Sequence, residues 1–197
     1  MSILVDKKKA ILVVVDIQGK LLGKIRFNEM VVENTLKLIE YAKVADIPII
    51  ITEQYKKGLG DTVESISQAI PDFAPIEKTS FGCFGEPDFK KALKATKRDT
   101  LIIVGIETHI CVCQTALEAL ENYKVYIPTD AVSSRHKNNW MAGLERMKEE
   151  GATLVTTEML IYEMMKEAGT EEFKKMLPHF KEKPEKEKMK DEEPRVY

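Results

Sequence analysis

The chain alternates short, continuous apolar runs with longer stretches in which apolar residues return every three or four positions. Ala10 to Asp16 is an apolar run that stops at an acid, the pattern of a strand buried on both faces. Asn28 to Ala45 has helical spacing, with Val31, Val32, Leu36, Ile39 and Ala42 on its apolar face. Further strands are expected at Ile47–Thr52, with Pro48 near its start where a proline is tolerated, and near Pro75–Lys78. Thr100–Gly105, Lys124–Pro128 (ending near Asp130) and Thr153–Thr156 follow. Helices are expected around Glu86–Lys97, Ile110–Tyr123 and Asn138–Glu150, with helical segments on to about Leu177. Residues 53–75 read as polar, glycine-rich loop. Strands that alternate with helices require right-handed crossovers. The pattern predicts an α/β fold: a three-layer α-β-α sandwich with a mostly parallel, Rossmann-like central sheet of about six strands. No internal repeat or boundary interrupts it, so residues 1–180 read as one domain. From Lys181 onward, six basic and six acidic residues cancel among two prolines, which reads as a solvated, mobile tail.

Composition narrows the function classes. A net charge of −2 gives no concentrated basic surface for nucleic acid. No apolar run approaches the ~20 residues of a membrane-spanning helix, and the amino terminus lacks a signal peptide's apolar region. Three cysteines are too few for a disulfide framework and fit a reducing compartment. The chain therefore reads as cytoplasmic, acting on a small molecule, with neither membrane nor nucleic acid as partner.

The candidate chemistry lies where strands end. Leu101 to Gly105 is a strand, and a helical pattern begins a few residues later, so Cys111 sits at the handover, on the edge where open α/β sheets bind ligands. Free N–H groups and the dipole at a helix start are expected to favour its thiolate. Asp16 ends the first strand and reads either as a turn residue or as a general base. Lys78 ends the third and reads either as a surface lysine or as Asp16's partner. Three such residues on three strand ends are a nucleophile constellation. Rival chemistries are weaker. Gly58–Leu59–Gly60 lacks the third glycine of a dinucleotide fingerprint, and no phosphate loop is present, so no cofactor is expected. His109, Cys111, Cys113 and the distant Cys83 do not show the paired ligands of a zinc site. Residues 111 and 113 also lie roughly 200° apart on a helix. Cys113 reads as a core residue, Cys83 as a loop residue that could reach the same cleft, and no metal is expected. His136 reads as a loop residue, and His179 belongs to the C-terminal segment.

From about Lys8 to Met165 the chain resembles the isochorismatase-like cysteine hydrolases. The carriers are Val15–Asp16–Ile17–Gln18, Lys78–Thr79–Ser80–Phe81, and Gly105–Ile106–Glu107–Thr108–His109–Ile110–Cys111–Val112 with Thr115. The resemblance implies an Asp–Lys–Cys triad: Asp16 moves the proton, Lys78 is its electrostatic partner, and Cys111 is the nucleophile. It also implies a cis peptide before Glu107, an oxyanion hole from the backbone N–H groups of Glu107 and Cys111, and a homo-oligomer, dimer or larger. The family's nicotinamidases carry an Asp-x-His metal motif where this chain reads Thr52–Glu53–Gln54–Tyr55, which argues against nicotinamide as substrate. That segment, running on to Gly60, and His109 in place of the usual Asp resemble the isochorismatase domain-containing subgroup. Gly82 replaces the usual serine of the lysine motif. Gln54, Tyr55, Phe84 and His109 are candidates to line a pocket, and Gln18 to order the loop after the first strand. The expected reaction is hydrolysis of a small amide or imide through a thioester. Vinyl ether hydrolysis of the isochorismatase type, a non-catalytic metabolite-binding scaffold, and a redox-sensing Cys111 stay open.

Overall fold

The computed structural model describes residues 4–180; the charged tail read from the sequence lies outside them. Its centre is a seven-stranded sheet: β1 (Ala10–Val15), β2 (Ile49–Gln54), β3 (Ile76–Lys78), β4 (Thr100–Ile106), β5 (Lys124–Pro128), β6 (Val132–Ser133) and β7 (Thr153–Val155). The spatial order is β3-β2-β1-β4-β5-β7, with β6 pairing β4 beyond the point where β5 leaves it. Every pairing is parallel.

β1 and β4 are buried along their whole length because helices cover both faces. Alternation sorts their side chains. Leu12, Val14, Ile102, Val104 and Ile106 join one core with α2 (Asn28–Val44), α8 (Thr157–Met165) and α9 (Glu171–Phe180). Ile11, Val13, Val15, Leu101 and Ile103 join the other with α5 (Pro87–Thr96), α6 (Cys113–Ala119) and α7 (Lys137–Glu149). This is the three-layer sandwich, with one strand more than the pattern predicts. Truncating a fully buried strand residue such as Ile103 to Ala would cost about 2–5 kcal/mol.

Three local differences matter for the site. β2 runs two residues later than expected: Pro48 stays outside it, and Glu53 and Gln54 continue it, with the Gln54 side chain bonded to Lys78 and Thr79 O and Glu53 Oε1 bonded to Thr62. The stretch read as loop folds into two short helices, α3 (Lys56–Leu59) and α4 (Glu64–Ala69); α1 (Gly19–Leu22) lies against α3. The helix expected from Ile110 opens instead with a wide turn, Thr108–Val112, in which the Val112 N–H reaches back to Glu107 O at 3.3 Å. Two glycines permit the close packing here. Gly105 has φ +119°, and a Cβ there would stand 2.0 Å from Val15 O on the neighbouring strand. A Cβ on Gly143 would stand 2.9 Å from His109 Cα, so α7 can lie directly against the wide turn only without one. No helix among the described residues is long and apolar enough to cross a membrane.

Candidate active site

Parallel strands bring their carboxyl ends to one edge, and β3, β2, β1 and β4 deliver Lys78, Gln54, Asp16 and Glu107 there in spatial order. Asp16, the residue after β1, turns off the sheet with φ +53°, its N–H donating to Thr52 O at 3.2 Å. Its carboxylate is fully buried. Oδ2 lies 2.7 Å from Lys78 Nζ, and Oδ1 accepts from Thr52 Oγ1 at 2.7 Å. The Lys78 side chain is equally buried, and its ammonium also donates to Gln54 Oε1 at 2.7 Å and to the carbonyls of Phe81 and Ser80 at 3.0 and 3.2 Å. A buried ion pair survives only with its remaining hydrogen-bonding capacity filled, which Thr52, Gln54 and these carbonyls do.

Cys111 lies in the wide turn after β4, beside this pair. Its thiol is held protonated well above the ordinary range, first because burial disfavours the anion and second because Asp16 repels it; Lys78 only partly offsets them. This corrects the expectation of a favoured thiolate: burial and the carboxylate outweigh the start of the helix. Thr115 Oγ1 donates to Cys111 O at 2.6 Å and accepts the Cys83 N–H at 3.0 Å, tying the two cysteine segments together. Cys83 is buried against Thr52 and the same ion pair, and its thiol is pushed up to about 11, chiefly by burial. Cys113 is buried in the core with Ala116 and Ala119. The peptide bond between Ile106 and Glu107 is cis.

The other site candidates take different places. Gln54 is buried and serves the ion pair: Oε1 accepts from Lys78, Nε2 donates to Thr79 O at 2.8 Å, and its backbone is clasped by Gln18. Gln18 Nε2 also donates to Gly60 O at 2.6 Å, tying the loop after β2 to the loop after β1. Tyr55 is exposed, with its ring over Gly58. Phe84 packs edge-on against Phe89, with ring centroids 5.3 Å apart, and against Tyr123. His109 is fixed through both ring nitrogens: Nδ1 lies 3.0 Å from Ser134 Oγ and Nε2 3.2 Å from Asn139 Nδ2. Burial holds its pKa below the ordinary value.

Several side-chain contacts at this edge carry no signal in the sequence. Thr52 is an ordinary strand residue until β2 pairs with β1. Glu53 is fully buried: Oε1 accepts from the N–H and hydroxyl of Thr62, and Oε2 lies 3.0 Å from Lys56 as an ion pair without an aligned hydrogen bond. Glu107 is nearly buried, and its carboxylate takes the backbone N–H and the Nε of Arg135 at 2.9 and 3.0 Å.

The family profile described as Isochorismatase domain matches residues 10–159. The chain belongs to the isochorismatase family. Isochorismatase family protein 1A of Dictyostelium discoideum is 38% identical over 184 residues, spanning 89% of this chain and 88% of that protein. Among solved structures, the MAR1 ribonuclease of Caenorhabditis elegans is similar at TM-score 0.84 and 33% identity, over 89% of this chain and 91% of that one. The YcaC gene product of Escherichia coli, an octameric hydrolase of unknown specificity, is similar at TM-score 0.80 and 30% identity, over 85% and 84%. The protein thus has the isochorismatase-family hydrolase fold, with its strand-end cluster inside the matched region.

Proposed function

We propose that this isochorismatase-family protein is a cysteine hydrolase acting on the C–N bond of a small amide or imide. The observation that carries the reading is Asp16, fully buried, held by Lys78 on one oxygen and facing a thiol whose proton it helps to retain. Such a thiol gives up its proton only as it attacks, and Asp16 is the acceptor beside it. The thiolate attacks the carbonyl carbon, and the oxyanion is held by the backbone N–H groups of Glu107 and Cys111. Asp16 returns the proton to the leaving nitrogen as the C–N bond breaks, leaving a thioester. Water, deprotonated by Asp16, then releases the acid and restores the thiol. Lys78 keeps the carboxylate in place throughout. No metal or cofactor enters this scheme.

A second reading is vinyl ether hydrolysis, favoured by the family's own name, with Asp16 as the proton donor and Cys111 dispensable. Turnover of small amides, imides and vinyl ethers by the wild type and by Cys111→Ala separates the two. Amine release lost in the variant supports the cysteine hydrolase; vinyl ether cleavage that survives in it moves the chemistry to Asp16. Neither activity in the wild type supports the metabolite-binding scaffold. The three cysteines are unpaired, which fits a reducing, cytoplasmic setting. The octameric E. coli relative supports a homo-oligomer.

A further inference from the structure

Thr115 is fully buried in the first turn of α6, one turn beyond Cys111, and its hydroxyl is used in both directions. It donates to Cys111 O at 2.6 Å and accepts the Cys83 N–H at 3.0 Å. The first bond is local, spanning four residues. A helical threonine commonly turns its hydroxyl back onto the carbonyl one turn before it, and the helix gains nothing by that. The second bond is different, because it reaches a segment 32 residues earlier in the chain. That segment is the loop which the Lys78 ammonium holds.

The loop is fixed along its length before it arrives at Thr115. Lys78 Nζ takes the carbonyls of Ser80 and Phe81, and Gln54 Nε2 takes Thr79 O. Ser80 Oγ donates to Gly82 O at 2.9 Å, and a Cβ on Gly85 would stand 2.5 Å from Ser80 Cβ, so the turn closes tightly. Cys83 Sγ then lies 3.9 Å from Thr52 Oγ1, the hydroxyl that donates to Asp16. Residues 79–83 are thus bound to Lys78 and Asp16 on one side and, through a single hydroxyl, to the Cys111 carbonyl on the other. Asp16 in turn acts on the Cys111 thiol through its charge and a hydrogen bond. Such an arrangement is sensitive to spacing: a misplacement of about 1 Å can cost about 10²-fold in rate.

We propose that Thr115 is a positioning residue: its hydroxyl docks the wide turn onto the loop after β3 and so sets the separation between the Cys111 thiol and Asp16. The inference rests on the hydrolase reading for its purpose, but thiol reactivity tests it without turnover. The measurement is the rate at which iodoacetamide alkylates Cys111 at one mildly alkaline pH, read from the mass of its peptide, with and without Asp16→Asn. Because the carboxylate opposes the thiolate, Asp16→Asn should raise that rate about tenfold or more in the wild type. It should do the same beside Thr115→Ser, which keeps the hydroxyl. Beside Thr115→Val, which keeps the shape and removes both bonds, the rise should shrink below about threefold. Thr115→Ala gives the same readout if circular dichroism shows that the valine variant does not fold. Where an amide is turned over, Thr115→Val should lower kcat about tenfold or more with KM little changed. A rise of equal size in every background, or none in the wild type, overturns the proposal and leaves Thr115 as a packing residue. So does a rise lost with Thr115→Ser as well, which would credit the methyl group rather than the hydroxyl. A rise lost only with the hydroxyl, in a protein that hydrolyses none of the amides, supports the positioning role while removing the hydrolase reading.

Discussion

The two ends of the central sheet carry the same kinds of charged residue and treat them in opposite ways. At the amino end, Arg98 donates to the carbonyls of Lys7, Ala10 and Asp46, and Lys9 stands 3.8 Å from Asp99 with both side chains more than half exposed. At the carboxyl end, Lys78 and Asp16 meet at 2.7 Å with neither side chain exposed. A solvated pair contributes at most about 1 kcal/mol and can be exchanged freely. A buried pair is costly to desolvate and gives no stability that apolar residues of like size could not. Among the described residues a fully buried pair stands at the carboxyl end alone, which supports the proposal that this end carries the chemistry.

The largest expected break in this contrast is Lys78→Met. It leaves the Asp16 carboxylate buried without its cation and should lower unfolding free energy by about 3–5 kcal/mol in urea melts, with turnover abolished. Adding Asp16→Leu to it should restore most of the stability and none of the activity; a double variant as unstable as the single one would refute the contrast. Asp16→Asn comes next. Removing the carboxylate's repulsion should let Cys111 ionise at lower pH, read by thiolate absorbance, yet turnover should fall by about 10²–10⁴ for want of a base. A thiol that titrates unchanged would mean that burial alone holds its proton.

A smaller effect is expected at His109. Because burial lowers its pKa, the folded protein binds fewer protons than the unfolded chain just below the ordinary value of 6.5. The stability this confers is complete above that value and lost as pH falls through the folded pKa. Melting temperature should therefore drop between neutral pH and pH 5, and less steeply in His109→Gln. Smallest of all, Lys9→Ala should change stability by no more than about 1 kcal/mol.

The comparison also separates what the sequence discloses from what it withholds. Apolar runs that stop at a polar residue are local, so Asp16, Lys78 and Cys111 can all be placed at strand ends by reading along the chain. β6 could not be found that way, since Val132 and Ser133 form no run. Nor could the partners of the ion pair. Thr52 and Gln54 reach Asp16 and Lys78 only once β2 lies between β1 and β3, and Arg135 finds Glu107 across 28 residues with no periodicity to announce it. The protonated Cys111 is invisible for another reason: burial is a property of the packed molecule, whereas a helix start can be read from a few letters.

The order of the strands bears on how the strand-end cluster is assembled. Asp16 and Lys78 are 62 residues apart in sequence, and β1 must lie between β2 and β4 before Cys111 can join them. No short fragment can hold the three together, and contacts closed across such spans form late and slowly. In a refolding experiment the helices should therefore return before the strand-end cluster, and turnover by the proposed site should recover only with the last pairing of the sheet.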